Sequence, residues 1–249
     1  MNKRRTFIKQ VSTLGALSPF INAKPSGNAL HVNEKRVIVC VGGHPDDPES
    51  GCGGTLSMYA KAGHKVIIVY LTRGDAGISG KTLTEAATIR TREAEEACSI
   101  IGAKPYFFGQ VDGSTIFNRT EIVRMQQLLI ELKPDVLFTH WPVDSHPDHQ
   151  VASMLCYQCW LNMEKSFQMY YFEVNSGFQT MQFIPTDYLD ITEVAEQKKY
   201  ALYQHKSQQP DEIYFSHHLI MQQFRGREIG VKEAEAFVRL DGAKHSSLM

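Results

Sequence analysis

Short apolar runs alternate with amphipathic segments along most of this chain, and this alternation constrains the fold more than any other feature. Four runs are continuously apolar, which is typical of strands buried on both faces, and they occupy residues 36–41, 65–71, 105–108 and 135–139. Helical segments lie between them at residues 54–62, 84–101 and 120–133. Such strand-helix repetition implies right-handed crossovers. We therefore predict an α/β, Rossmann-like, mostly parallel sheet flanked by helices.

The second half of the chain continues with helical and apolar segments. Helices are predicted from residue 149 to about 163, at 194–205 and at 211–224, with an apolar stretch, QMYYFEV, at 168–174. A chain of 249 residues with this pattern is commonly one domain. Its net charge of −1 gives no electrostatic reason to expect nucleic acid or an anionic membrane as a partner.

The first 28 residues have the layout of a signal peptide and linker. A basic start is followed by a short, weakly apolar middle, and Ala23 precedes a Lys-Pro-Ser-Gly linker. Arg4 and Arg5, followed by TFIK, resemble the twin-arginine export signal of bacteria. The apolar stretch at 11–23 is shorter than the roughly 20 residues that span a bilayer, so no stable membrane anchor is expected.

From this layout we predict export through the twin-arginine machinery to the periplasm or the medium, and a folded domain at residues 29–249. The alternative for the N-terminus is a disordered basic tail on a cytoplasmic protein.

Five cysteines are scattered through the chain. Cys156 and Cys159 form a C-x-x-C, but it lies inside an apolar helical stretch, and no second pair stands at zinc-ribbon spacing. Free cysteine behaves as a small hydrophobe. We therefore expect buried thiols here rather than a redox or metal site.

Two predicted strand ends are rich in residues that bind metals. The first strand is followed by GGHPDDPE at 42–49, and the fourth by HWPVDSHPDH at 140–149. Ligands of open α/β sheets bind beyond the carboxyl ends of the strands. A catalytic zinc takes three nitrogen or oxygen ligands and keeps one position open, which His44, Asp47 and His149 could provide. Asp46 is then free to take a proton from water. The alternative interpretation of the two loops is a surface hydrogen-bond network that binds no metal.

These two loops resemble those of the PIG-L/LmbE-type deacetylases, zinc-dependent enzymes that act on substrates containing N-acetylglucosamine. The resemblance covers residues from about 37 to 240 and rests on H-P-D-D-x-E at 44–49 and H-P-D-H at 146–149. Supporting motifs are L-T-R-G at 71–74, R-T-R-E at 90–93, D-G at 112–113 and H-K-S-Q at 205–208. The resemblance implies a metal-dependent hydrolase that removes an N-acetyl group from an amino sugar or its conjugate.

The resemblance also implies a role for each matching residue. His44, Asp47 and His149 would bind zinc, and Asp46 would act as general base. A site of two histidines and one aspartate also accepts other divalent ions such as Fe²⁺.

The remaining implied roles concern the reaction and the substrate. A protonated His146 would stabilise the oxyanion or donate a proton to the leaving amine, and Asp148 would orient a histidine. Arg90 and Asp112 would contact the substrate. One departure is Pro48, which moves the motif's glutamate to Glu49 and leaves the role of that residue open.

Other residues invite a functional interpretation that the sequence does not favour. His217 and His218 are adjacent, and neighbours on a helix point apart, which favours surface and packing roles over a second metal site. Trp141 and the aromatic residues at 170–172 could stack on sugar rings, but such residues at strand ends are more typical of a core.

Two alternatives to amino-sugar deacetylation follow. One is a zinc amidase acting on another small acylated amine, and the other is a noncatalytic carbohydrate-binding protein on the same fold. The presence of Asp46 disfavours the binding protein, because a binding site needs no general base.

Overall fold

The computed structural model describes residues 35–242, so the predicted export signal at 1–28 lies outside the described residues. Seven strands form one sheet in the order β3-β2-β1-β4-β5-β7-β6. The strands are β1 (Val37–Gly42), β2 (Lys65–Thr72), β3 (Lys104–Gln110), β4 (Val136–His140), β5 (Gln168–Phe172), β6 (Asp187–Asp190) and β7 (Ala234–Arg239). Strands β1 to β5 are parallel to one another, which confirms the predicted mostly parallel α/β sheet.

The two strands at one end of the sheet, β7 and β6, were not predicted from the sequence. Strand β7 pairs antiparallel with both β5 and β6. Strand β6 is only four residues long and partly exposed, and its sequence DYLD has no continuous apolar run. An antiparallel edge on an otherwise parallel sheet is a common arrangement, but short polar strands give a weak sequence signal.

Helices cover both faces of the sheet. They are α1 (Asp47–Lys61), α2 (Leu83–Ile101), α3 (Arg119–Leu132), α4 (Pro147–Asn162), α5 (Ala195–Leu202), α6 (Pro210–Ile213) and α7 (Leu219–Ile229), with a π-helical segment at Tyr214–His218. Within the described residues, no helix combines the length and the apolar character needed to cross a bilayer.

Helix α1 begins seven residues earlier than the sequence predicted, because it continues across a kink at Cys52. The kink leaves backbone N–H groups without their usual helical acceptors. The carboxylate of Glu235 on β7 accepts the N–H groups of Gly54 and Thr55 at 2.8 and 2.7 Å. Lys198 in turn pairs with this buried carboxylate at 2.7 Å. A distant side chain therefore caps the second half of the helix.

The continuous apolar runs are explained by a core on each face of the sheet. Ile38 and Cys40 of β1 belong to one core with residues of α1 and α2, while Val39 and Val41 belong to the other with residues of α3 and α4. The five cysteines are buried and unpaired, in agreement with the expectation for the C-x-x-C.

Strands β1 and β4 are parallel neighbours, with Ile38 opposite Val136 and Val41 opposite Thr139. The strand order reverses direction between them, which is where open α/β sheets bind ligands. The loops that leave the carboxyl ends of these two strands therefore meet at the same edge of the sheet. They are the two loops rich in histidine and aspartate.

Candidate active site

The loop from β1 to α1 turns sharply at Asp46. This residue has φ 109°, a left-handed value that costs energy for any residue with a Cβ. Its backbone N–H donates to Glu49 Oε2 at 3.2 Å, and its carbonyl accepts the Ser50 N–H at 2.9 Å. The turn directs Asp46 and Asp47 into the same region from consecutive positions.

The loop from β4 to α4 brings the second group of residues. His146 precedes the helix and its Nδ1 accepts the backbone N–H of Asp148 at 3.2 Å, as a helix N-cap does. Pro147 occupies the first helical position, where its fixed φ suits the turn. A Cβ at Gly43 would lie 2.8 Å from His149 Cδ2, so the glycine lets the two loops approach.

The three residues predicted to bind metal lie together. Oδ2 of Asp47 is 3.2 Å from Nδ1 of His44 and 3.2 Å from Nε2 of His149. Burial alone would raise the pKa of Asp47, but the neighbouring imidazoles of His149 and His140 hold it well below its usual range. The buried Asp47 carboxylate therefore contacts one imidazole from each loop. Two groups that could hold a metal ion, His44-His146-His149 and Asp47-His140-His149, share these residues.

The outer nitrogens of both histidines face carboxylates. Nε2 of His44 is 3.0 Å from Asp148 Oδ2 and 3.1 Å from Asp112 Oδ1, and Nδ1 of His149 is 3.1 Å from Asp144 Oδ1. Carboxylates behind imidazoles are typical of metal sites, because they orient the ring and fix which nitrogen is free to bind. The residues present therefore fit a divalent metal ion.

Asp148 lies where its predicted role requires. Its Oδ2 also accepts the N–H of Gly113 at 2.8 Å, and its Oδ1 accepts the hydroxyl of Thr115 at 2.6 Å. Asp112, which was predicted to contact substrate, reaches His44 while also lining the cavity described below. Asp112 therefore contacts both a predicted metal ligand and the cavity.

His140 and Asp144 are site residues that the sequence analysis assigned no role. Nε2 of His140 accepts the N–H of Gly43 at 3.0 Å and lies 3.4 Å from Asp47 Oδ2. Burial and the adjacent His149 lower the pKa of His140 to about 4, so the ring is neutral. Its Nε2 lone pair already accepts a hydrogen bond, which favours His44 over His140 as a ligand. Both residues lie within the loop sequence HWPVDSHPDH. Their residue types, histidine and aspartate, were the only indication in the sequence that they belong to the site.

Arg90 reaches the site from helix α2. Its Nη2 donates to the Pro45 carbonyl and lies 3.2 Å from Asp46 Oδ2, while the residue is 3% exposed. A Cβ at Gly74 or Gly77 would lie 2.3 Å from Arg90 Nη1. Burial raises the pKa of Asp46, and the Arg90 guanidinium opposes this effect. Arg90 therefore holds the carboxylate that the sequence predicts to be the base, besides lining the cavity where it was predicted to meet substrate.

His146 packs against both metal-site imidazoles, with ring centroids 4.6 Å from His44 and 4.8 Å from His149. Burial and these two rings lower its pKa, which favours a neutral ring. Since Nδ1 accepts a backbone N–H, the neutral ring carries its proton on Nε2. The neutral ring would therefore present Nε2–H as a donor to the cavity, and the lowered pKa disfavours the protonated form that the sequence analysis expected.

A cavity of about 460 Å³ opens beside these residues. The lining includes the His-Asp cluster, the loop after β5 and the π-helical segment. His217 and His218 are also part of the cavity lining, and the ring of His217 stacks on Phe178. Residues 170–172 are buried in the core, as expected, and the aromatic residue that lines the cavity is Phe178.

Comparison with known proteins agrees with this geometry. The family model described as PIG-L, GlcNAc-PI de-N-acetylase, matches residues 39–160, which include both loops. A diacetylchitobiose deacetylase of Thermococcus kodakarensis is 29% identical over 200 residues, covering 73% of each chain. The solved N,N'-diacetylchitobiose deacetylase of Pyrococcus horikoshii superposes with a TM-score of 0.76 at 25% identity, covering 87% of this chain and 90% of the other.

Residues 39–160 of the chain form a PIG-L family domain.

The similar proteins are chiefly deacetylases, and this chain is likewise a hydrolase of N-acyl amides. The His-Asp cluster contains groups of residues that could hold a metal ion. A 4-oxalmesaconate hydratase of Pseudomonas putida is also similar, at 26% identity over 70% of this chain and 74% of its own. The fold alone therefore does not determine the substrate, which depends on the residues that line the cavity.

Proposed function

We propose that this protein is an exported, zinc-dependent deacetylase that hydrolyses the N-acetyl group of an N-acetylglucosamine-containing glycan. The observation that carries the proposal is the position of Asp46. Its carboxylate lies next to the metal ligand Asp47 but is held by Arg90 at 3.2 Å, so it is available to accept a proton in the cavity. A noncatalytic sugar-binding protein has no use for this arrangement.

The metal would be held by His44, Asp47 and His149. When bound, zinc polarises the amide carbonyl and lowers the pKa of water to roughly 7. Asp46 accepts the proton of the attacking water, and Arg90 keeps its carboxylate directed at the cavity. His146 lines the same cavity and can donate a hydrogen bond from Nε2 to the developing oxyanion. Asp46 then returns the proton it took from water to the leaving amine.

Zinc is the proposed ion because two imidazoles and one carboxylate form the ligand set of many catalytic zinc sites. Fe²⁺ is the competing ion. Metal analysis of protein purified without added metal, followed by activity after reconstitution with each ion, decides between the two ions. If activity is higher with Fe²⁺ than with Zn²⁺, the proposed catalytic ion is Fe²⁺ rather than zinc.

Export through the twin-arginine machinery is proposed from Arg4 and Arg5 and from the signal-peptide layout of residues 1–28. Fractionation of the source cells and N-terminal sequencing of the mature protein test this part. An intact Met1 on cytoplasmic protein would overturn it and leave the enzymatic proposal unaffected.

The substrate is tested by acetate release from N-acetylglucosamine, its β-linked oligomers and N-acetylated amino acids, using zinc-loaded protein. We expect acetate from the sugars, and a loss of about 10² to 10⁴ in kcat for Asp46→Asn with zinc content unchanged. Release from amino acids alone would favour a different small-amide substrate. No release from any of these compounds, together with hydration of an unsaturated dicarboxylate, would place the protein with its hydratase relative instead.

A further inference from the structure

The part of the cavity lining that comes from the loop after β5 carries an exposed aromatic ring. Phe178 is 73% exposed although it lines a cavity, and its ring stacks on His217 with centroids 5.7 Å apart and planes at 24°. Exposing so much of a phenylalanine to water is unfavourable, at roughly 25 cal/mol per Å² of apolar surface. A ligand that covers the ring would recover this free energy.

The loop that carries Phe178 is tied to the metal site. The N–H of Gly177 donates to the Thr180 carbonyl at 2.9 Å, which closes a tight turn, and Ser145 N–H donates to the Gln179 carbonyl at 3.0 Å. The hydroxyl of Thr180 donates to Asp144 Oδ2 at 2.8 Å, and Asp144 also contacts the metal ligand His149. The position of the exposed ring relative to the metal is therefore set by direct hydrogen bonds.

Two carboxamides flank the ring on the same wall. Asn175 and Gln179 line the cavity, and their side chains make no hydrogen bond with another residue in the range 35–242. A carboxamide both donates and accepts, as sugar hydroxyls do. Among the described residues no lysine lines the cavity, and the one lining arginine, Arg90, is already engaged by Asp46. This wall is suited to a neutral, hydroxyl-rich ligand with one apolar face.

A pyranose ring has this chemistry, because its axial C–H groups form an apolar face and its hydroxyls lie around the edge. We propose that Phe178, Asn175 and Gln179 form a second sugar subsite, which binds the unit next to the N-acetylated sugar at the metal. This inference rests on the proposed function. It assigns an oligosaccharide, rather than a free monosaccharide, as the substrate class. A cavity of about 460 Å³ is within the roughly 300–1,000 Å³ of typical ligand pockets.

The test compares N-acetylglucosamine with its β-1,4-linked disaccharide and trisaccharide as substrates of the zinc-loaded protein. We expect Phe178→Ala to lower kcat/KM for the disaccharide about three- to tenfold, mainly through KM, and to leave the monosaccharide value nearly unchanged. Phe178→Trp should retain the disaccharide value. Phe224→Ala is the matched control, since Phe224 is 51% exposed but does not line the cavity.

Equal effects of Phe178→Ala on the monosaccharide and the disaccharide, or no effect on either, would overturn the subsite. Failure of the proposed function is a separate result, namely no acetate from any sugar. In that case calorimetric binding of the same sugars to zinc-loaded wild-type and Phe178→Ala protein decides the matter. A disaccharide preference that disappears in the variant supports the subsite, and the absence of such a preference overturns it.

Discussion

The backbone N–H of Asp46 donates to the Glu49 carboxylate at 3.2 Å, and this contact lies beside the left-handed backbone of Asp46. Glu49 is fully buried and also accepts the hydroxyl of Tyr70. Burial alone would lower the pKa of His205, but the nearby Glu49 carboxylate raises it. Glu49, whose role the departure at Pro48 left open, thus supports the loop that carries the predicted base Asp46.

We predict that Glu49→Gln lowers kcat about ten- to a hundredfold, because the Asp46 carboxylate loses its fixed position, while metal content stays the same. Unfolding should also become easier by about 1–3 kcal/mol, since a buried donor loses its charged acceptor. Steady-state kinetics, metal analysis and urea denaturation measure the three effects. Tyr70→Phe is the control, because it removes a donor to Glu49 without touching Asp46, and equal kcat losses in both variants would contradict the prediction.

Gly74→Ala should lower activity by displacing Arg90. The new Cβ would lie 2.3 Å from Arg90 Nη1, and the guanidinium can move only by leaving its contact with Asp46. We expect kcat to fall about ten- to a hundredfold. Gly80→Ala is a close control, since Gly80 also has a positive φ but no atom within 4 Å of the added Cβ. Both variants should lose about 1–2 kcal/mol of stability, so a similar kcat in the two would count against a role for Arg90.

Asp144→Ala should weaken metal binding without removing a ligand. Asp144 Oδ1 lies 3.1 Å from His149 Nδ1 and accepts the His146 N–H at 2.9 Å, so its loss frees the ring of a ligand. We expect the metal affinity to fall about 10- to 100-fold in competition with a chromophoric chelator. Asp190→Ala provides a comparison, because Asp190 is exposed and is not part of the metal cluster. An unchanged affinity in Asp144→Ala would show that the ring is oriented without its carboxylate.

His218 should make the metal-free fold sensitive to acid. Burial, Lys198 and His217 lower the pKa of His218 to about 3 from its ordinary value of 6.5. Because the folded pKa lies below the unfolded one, the stability that this neutral ring contributes is complete above pH 6.5. It is lost as the pH falls from 6.5 towards 3.

Between neutral pH and about pH 5, wild-type protein should therefore lose up to about 2 kcal/mol more stability than His218→Gln. Urea denaturation of both metal-free proteins at the two pH values measures this difference. If the free energy of unfolding falls equally in the two proteins, the pKa of His218 is the same in the folded and unfolded states.

The sequence by itself determined the central architecture and the identity of the main chemical groups. Runs such as 36–41 and 65–71 are continuously apolar because those strands are covered on both faces, and that burial is visible in local composition. The parallel order then places the ends of β1 and β4 together, which is why the His-Asp loops could be paired before their distances were known.

Tertiary structure alone decided which side chains support that cluster and what lines the cavity. Glu235 caps helix α1 from about 180 residues away, and Asp112 reaches His44 from another crossover. Phe178 and His218 enter the cavity wall because of how the loop after β5 and a π-helical segment fold over the sheet. Periodicity and composition report whether a residue is buried, but not which distant residue it meets. That depends on the packing of elements far apart in the chain.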